Sequence, residues 1–130
     1  MKHASTRKKI NGAIFIIDGH DMSRNILARL LSMHICSVHT APSIDQAIKH
    51  GRESSYHTIL VDPSLVVRGG ASDQNIQYLK EQFPSARVVL LLNFVDQQRQ
   101  YPSSDMVFVK PLSLKPLLRA ISASLRDESF

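Results

Sequence analysis

The sequence predicts an α/β protein built as an open, doubly wound sheet. Three observations carry that expectation. Short apolar runs alternate along the chain with segments of helical periodicity. The runs are apolar throughout rather than at every second position, so each strand is covered on both faces, as parallel strands under helices are. The alternation continues for five strands with four good helices and one poor one, the pattern of a layered α/β domain.

The first run, residues 13–17 (Ala-Ile-Phe-Ile-Ile), is rich in β-branched residues and ends at Asp18. Residues 22–33 carry Ile26, Leu27, Leu30 and Leu31 as a helical stripe, with Asp21 as the expected N-cap. Residues 37–41 form a weaker strand. Ser43-Ile44-Asp45-Gln46 has the form of a capping box and opens a short helix that buries Ile44, Ala47 and Ile48 and stops at Gly51. Residues 58–61 form a buried strand ending at Asp62, and 63–71 a loop broken by Gly69-Gly70. Residues 72–83 give a third helix with Ile76, Leu79 and Phe83 inward. Residues 87–92 are the most apolar strand and end at Asn93. Residues 94–105 are polar and poorly periodic, so any helix there is short. Residues 106–109 form the fifth strand, ending at Lys110-Pro111, and 113–125 a last helix with Leu114, Leu117, Leu118, Ile121 and Leu125 inward.

With 130 residues the chain is one domain's worth, divided here into a basic tail (1–9), the folded domain (10–126) and a short C-terminal tail (127–130). The net charge of +5 invites a nucleic-acid reading, but its placement argues against one. Lys2, Arg7, Lys8 and Lys9 sit in the tail; from Ile10 onward 12 basic residues face 11 acidic ones. No apolar run approaches the roughly 18 residues a membrane span needs, and no leader pattern opens the chain, so a cytoplasmic protein without membrane contact is expected. Cys36, the only cysteine, lies among apolar neighbours and is expected to be a buried, inert thiol.

Chemistry concentrates at the strand ends. Parallel strands place their carboxyl ends along one edge, where open α/β sheets bind ligands. Asp18, Asp62, Asn93 and Lys110 end strands one, three, four and five and should share that crevice. Two carboxylates can hold a hard divalent cation through oxygen, and a lysine can pair with a carboxylate or a phosphoryl oxygen. Other signals are weaker. The six histidines show no tight ligand spacing, and only His20 falls near the Asp18 edge. Neither a dinucleotide fingerprint nor a phosphate-binding P-loop occurs, and no nucleophile elbow surrounds Ser64.

The strand-ending motifs Ile16-Ile17-Asp18-Gly19, Ile59-Leu60-Val61-Asp62 and Phe108-Val109-Lys110-Pro111 resemble those of bacterial response-regulator receiver domains, over roughly residues 13–125. The resemblance implies a flavodoxin-like sheet of order 2-1-3-4-5 with a degenerate fourth helix. It implies Asp62 as phospho-acceptor, Asp18 as the first of an acidic pair, Lys110 as the phosphate-contacting lysine and a cis Lys110-Pro111 peptide. It further implies Mg2+ held by Asp18, Asp62 and the Ser64 carbonyl, and a histidine kinase, phosphotransfer protein or other signalling protein as partner, with a homodimer as a further expectation. The chain is then a signalling module and not an enzyme.

Five departures from the family pattern surround that site. Gly19 stands where a second carboxylate would contact the metal; Asp21 could replace it through water, although its expected role is the helix cap. Asn93 stands where a serine or threonine is usual. Val107 occupies the aromatic switch position. Pro63 opens a loop that lacks the usual Met-Pro and removes a backbone donor beside Asp62. The segment before strand five is short. Together they point to an atypical receiver that acts mainly by docking. The alternative from another class is a small α/β enzyme or anion-binding module using the Asp18, Asp62 and Lys110 crevice.

Overall fold

A computed structural model describes residues 8–51, 54–63 and 72–128. Its five strands are β1 (Ile10–Ile17), β2 (Ile35–Ala41), β3 (Thr58–Val61), β4 (Arg87–Leu92) and β5 (Met106–Val109). The helices are α1 (Asp21–Ser32), α2 (Ile44–Gly51), α3 (Asp73–Gln82) and α4 (Leu114–Glu128), and one 3-10 turn spans Val95–Gln100. All strand pairs are parallel, in the order β2-β1-β3-β4-β5. This is the expected flavodoxin-like arrangement, and the expected weak fourth helix is that 3-10 turn. The Lys110-Pro111 peptide is cis.

The continuous apolar strands are explained by two cores, one on each face of the sheet. Phe15 and Ile17, Ile59 and Val61, and Val88, Leu90 and Leu92 meet α2 and α3 on one face. Ile14, Ile16, Leu60, Val89 and Leu91 meet Leu31 of α1 and Leu117 and Ile121 of α4 on the other. Alternation still holds along each strand, but both sets of side chains are apolar because both faces are covered. Each fully buried Leu, Ile or Phe side chain contributes roughly 1.5–3 kcal/mol through removal from water.

Several local expectations are refined by packing. Gly51 does close α2, but it is also buried: a Cβ there would stand 2.7 Å from Phe15 Cε2 and 3.0 Å from Phe83 Cζ. Glycine is thus needed for close approach as well as for the helix end. Gly12 plays a similar part under α4, where a Cβ would lie 2.9 Å from Leu125 Cδ2. Ser72 caps α3, its hydroxyl accepting from Asn75 N at 3.3 Å. Ser43 does the same for α2 through Gln46 N at 3.2 Å.

Three expectations are corrected. On α1 only Leu31 is buried, with Leu27 and Ala28 packed beside it; Ile26 and Leu30 are exposed, so the core stripe is narrower than the periodicity implied. Asp21 is not the N-cap of α1: His20 is, and its imidazole accepts from Ser23 N at 3.2 Å. Cys36 is exposed rather than buried: β2 is an edge strand, and this residue belongs to neither core.

Under α2 and α3 sits a cluster of rings. Phe15 lies 4.8 Å from Tyr56 and 6.4 Å from Phe83 between centroids, and Tyr56 bonds through its hydroxyl to His39 Nδ1 at 2.8 Å. The ring packing, not that bond at an exposed histidine, should dominate. Phe15→Ala is expected to cost about 3–5 kcal/mol, against about 0.5–1.5 kcal/mol for Tyr56→Phe. Urea unfolding of the two variants measures the contrast; equal losses would contradict it.

Candidate functional site

The sheet ladder itself fixes the crevice. Beyond the last residue of β1, Asp18 N donates to Ala41 O at 3.1 Å; beyond β3, Asp62 N donates to Ile17 O at 3.0 Å; beyond β5, Lys110 N donates to Leu92 O at 2.8 Å. Each candidate residue therefore begins a loop while its own backbone still belongs to the sheet. Asp18 and Asp62 end adjacent strands, with Ile17 and Val61 in register just before them.

Both carboxylates are buried, Asp62 to 1% exposure and Asp18 to 5%. Asp62 Oδ2 accepts from Lys110 Nζ in an ion pair whose lysine remains about one-third exposed. Asp18 Oδ1 accepts from His20 N at 2.8 Å. Arg24 reaches back from the first turn of α1, donating from Nη1 to Asp18 O at 2.8 Å and from Nη2 to Asp21 Oδ1 at 2.6 Å. Asp21 is thus committed to Arg24 rather than to a helix cap. Among the described residues the crevice holds two buried carboxylates and one lysine, with Arg24 bonded to the Asp18 carbonyl.

Burial pushes the Asp18 carboxyl above its ordinary value of 3.8, and the nearby Asp62 charge adds to the rise; the His20 amide, Lys110 and Arg24 oppose it. Burial likewise raises the Tyr101 phenol, with a smaller rise from the Asp62 charge. Tyr101 comes from the β4–β5 connection and is 6% exposed.

Asn93 lies at the end of β4 at the same edge and is exposed; its backbone N–H donates to Gln97 Oε1 at 3.1 Å. Gly19 is half-buried and offers no carboxylate, and Pro63 is buried directly after Asp62. Val107 is half-buried and packs against the core that holds Tyr101. The expected Ser64 carbonyl ligand lies outside the described residues. The structure brings Asp18, Asp62 and Lys110 together; His20 lies at the rim as the α1 cap.

Arg24 and Tyr101 were missed by sequence reasoning. Arg24 left a faint signal, since a cation in the first turn of a helix opposes the helix dipole and calls for a local partner. Tyr101 left none, lying in a segment without periodicity.

A divalent cation can be tested against these donors. Mg2+ keeps several waters and commonly takes only one or two carboxylates from the protein. Asp18 and Asp62 meet that minimum, and the raised Asp18 value is what two close, buried carboxylates produce. With Gly19 in place of a third anion, the donors fit a water-rich ion. Among the described residues no group of three or more His, Cys, Asp or Glu side chains is placed to hold a metal.

No protein-family model matches the sequence, and no curated protein matches it. Solved structures do. A response regulator protein from Burkholderia pseudomallei, solved with a phosphorylated aspartic acid, calcium ion and citrate, is 23% identical with a TM-score of 0.73, over 91% of this chain and 72% of that one. The signal receiver domain of an HD domain-containing protein from Pseudomonas fluorescens Pf-5 is 18% identical, TM-score 0.76, over 95% of this chain and 93% of that one. A chain described as adenylate cyclase from Rhodopirellula baltica is 22% identical, TM-score 0.73, over 89% and 88%. The fold is that of response-regulator receiver domains.

Because the Asp18 value is raised in the fold, protonation of Asp18 is favoured there. Its contribution to stability is fully present below 3.8 and is lost as pH rises through the raised value. Asp18→Asn, which keeps an acceptor for the His20 amide without the charge, is expected to stabilise the metal-free protein at neutral pH by about 0.5–2 kcal/mol. That gain should shrink towards nothing in acid. Thermal melts of both proteins at several pH values check this; a variant less stable at neutral pH would contradict it.

Proposed function

We propose that the chain is a signal-receiving module of the two-component or phosphorelay type, with Asp62 as its phospho-acceptor and its output made mainly by docking to another protein. The observation that carries this reading is the buried Asp62 carboxylate at the end of a central strand, paired with Lys110. In this reading one oxygen of the Asp62 carboxylate is the nucleophile. A bond forms from that oxygen to the phosphorus of the donor, and the bond from phosphorus to the leaving group breaks, its electron pair departing with acetate or a histidine ring. Lys110 then meets the charge gathering on the phosphoryl oxygens, as a long-stemmed ammonium can. Mg2+, held by Asp18 and Asp62, would neutralise those same oxygens.

The departures support an atypical module. Gly19 thins the metal site, Asn93 supplies an amide where a hydroxyl is usual, and Val107 supplies no ring. The connection before β5 is a 3-10 turn rather than a helix. These features favour a protein whose partner reads its surface with or without the phosphoryl group. A histidine kinase or phosphotransfer protein is the partner class that fits. No described helix is long and apolar enough to cross a membrane, and a cytoplasmic location is part of this reading. So are non-enzymatic action and a folded unit at residues 10–126. The charge balance beyond residue 9 disfavours nucleic acid, and self-association remains compatible.

Intact mass after incubation with acetyl phosphate and Mg2+ tests the assignment. One added phosphoryl group is expected, absent from Asp62→Asn. The same gain in both proteins would place the acceptor elsewhere. Turnover of a phosphorylated metabolite with no stable label would favour the small-enzyme alternative.

A further inference from the structure

Arg24 brings charge, rather than shape, to the crevice. Asp18 is already held on two sides: its N–H donates to Ala41 O at 3.1 Å, and its Oδ1 accepts from His20 N at 2.8 Å. Arg24 adds a guanidinium to the same residue, donating from Nη1 to Asp18 O at 2.8 Å. It does so from the first turn of α1, which it closes with Arg24 N on His20 O at 2.9 Å. Side chains on a helix lean towards its N-terminus, here the end beside Asp18.

Two consequences follow for a divalent cation, and both have the same sign. The first is direct repulsion. The Arg24 side chain is only 13% exposed, so water and salt screen its charge weakly. That charge acts on the Asp18 carboxyl, where it opposes the rise caused by burial. The second is the loss of an anion. Nη2 of Arg24 donates to Asp21 Oδ1 at 2.6 Å. Gly19 supplies no carboxylate, so Asp21 is the one acidic residue besides Asp18 in the stretch 18–24. Its side chain is 83% exposed, and its bond to Arg24 holds it at the start of α1.

We propose that Arg24 sets how weakly the crevice binds Mg2+: its guanidinium repels the ion across Asp18 and keeps Asp21 from turning towards it. This rests on the reading of Asp18 and Asp62 as the pair that holds the ion. Part of the positive charge a metal would bring is already built into the chain, with Lys110 on Asp62 and Arg24 on Asp18. A divalent ion entering such a balanced crevice gains less than it would between two unaccompanied carboxylates.

Mg2+ alone is the probe, titrated into the full chain with no phosphodonor present and followed by the amide NMR signals of Asp18, Gly19 and Asp62. Arg24→Gln keeps a donor for the Asp18 carbonyl but removes the charge and releases Asp21. It is expected to bind Mg2+ roughly three- to tenfold more tightly than wild type, the size of one unit charge acting on a divalent ion across a partly buried site. Asp21→Asn leaves Arg24 on Asp18 with its charge uncompensated and is expected to bind about threefold more weakly. An Arg24→Gln protein that binds Mg2+ no more tightly than wild type overturns the proposal; weaker binding would make Arg24 a support for Asp18 instead. Should Arg24→Gln melt well below wild type, Asp21→Asn decides, and an unchanged affinity there overturns the proposal. Asp62→Asn separates this from the site reading. An ion that binds Asp62→Asn as well as wild type lies elsewhere and defeats the metal pair. Loss of binding in Asp62→Asn, with no effect of Arg24→Gln, defeats the Arg24 proposal alone.

Discussion

The site depends on one ion pair, between Asp62 at the end of β3 and Lys110 at the end of β5. A carboxylate 1% exposed would be costly without a cation. The lysine's stem lets it supply that cation from two strands away while its own backbone stays in the ladder, with Lys110 N on Leu92 O. The pair is also asymmetric. Lys110 keeps contact with solvent while Asp62 does not, so the lysine can follow a change of charge on its partner without being stranded. The rest of the crevice is arranged around this: Asp18 is close enough to feel the Asp62 charge, and His20 and Arg24 hold Asp18 from the other side.

The surrounding scaffold is stiff. Two cores clamp the sheet, and the strand-end residues are bonded before the loops begin. What varies is the cover over β4 and β5. On the α2–α3 face a six-residue 3-10 turn and one inserted tyrosine stand where an α-helix would bury more, and Phe94 and Val95 at its start remain exposed. This thin cover is where a change of charge at the sheet edge would be felt first, because less packing opposes movement there.

The fold was legible in the sequence because its signals were redundant. The apolar strands Thr58–Val61, Arg87–Leu92 and Met106–Val109 have the expected bounds, and α3 falls within the expected 72–83. The crevice was legible because strand-end residues converge by topology alone, so Asp18, Asp62 and Lys110 needed no knowledge of loops. Legibility failed where local pattern and tertiary placement part company. Asp21 and His20 are adjacent possible caps, and Asp21 was drawn off by Arg24. Cys36 and Ile26 look like core residues, but one lies on an edge strand and the other on the outer side of α1. Tyr101 enters the core from a segment whose path has no periodic signature.

Asp62 is held as a buried carboxylate by its partnership with Lys110. A double-mutant cycle in urea unfolding, with Asp62→Asn, Lys110→Met and the pair together, measures that partnership directly. A favourable coupling energy of about 0.5–3 kcal/mol is expected, with Lys110→Met alone more destabilising than the double variant. Additive single-variant effects, with no coupling beyond error, would contradict it and would reduce Lys110 to a solvated residue at the end of a strand.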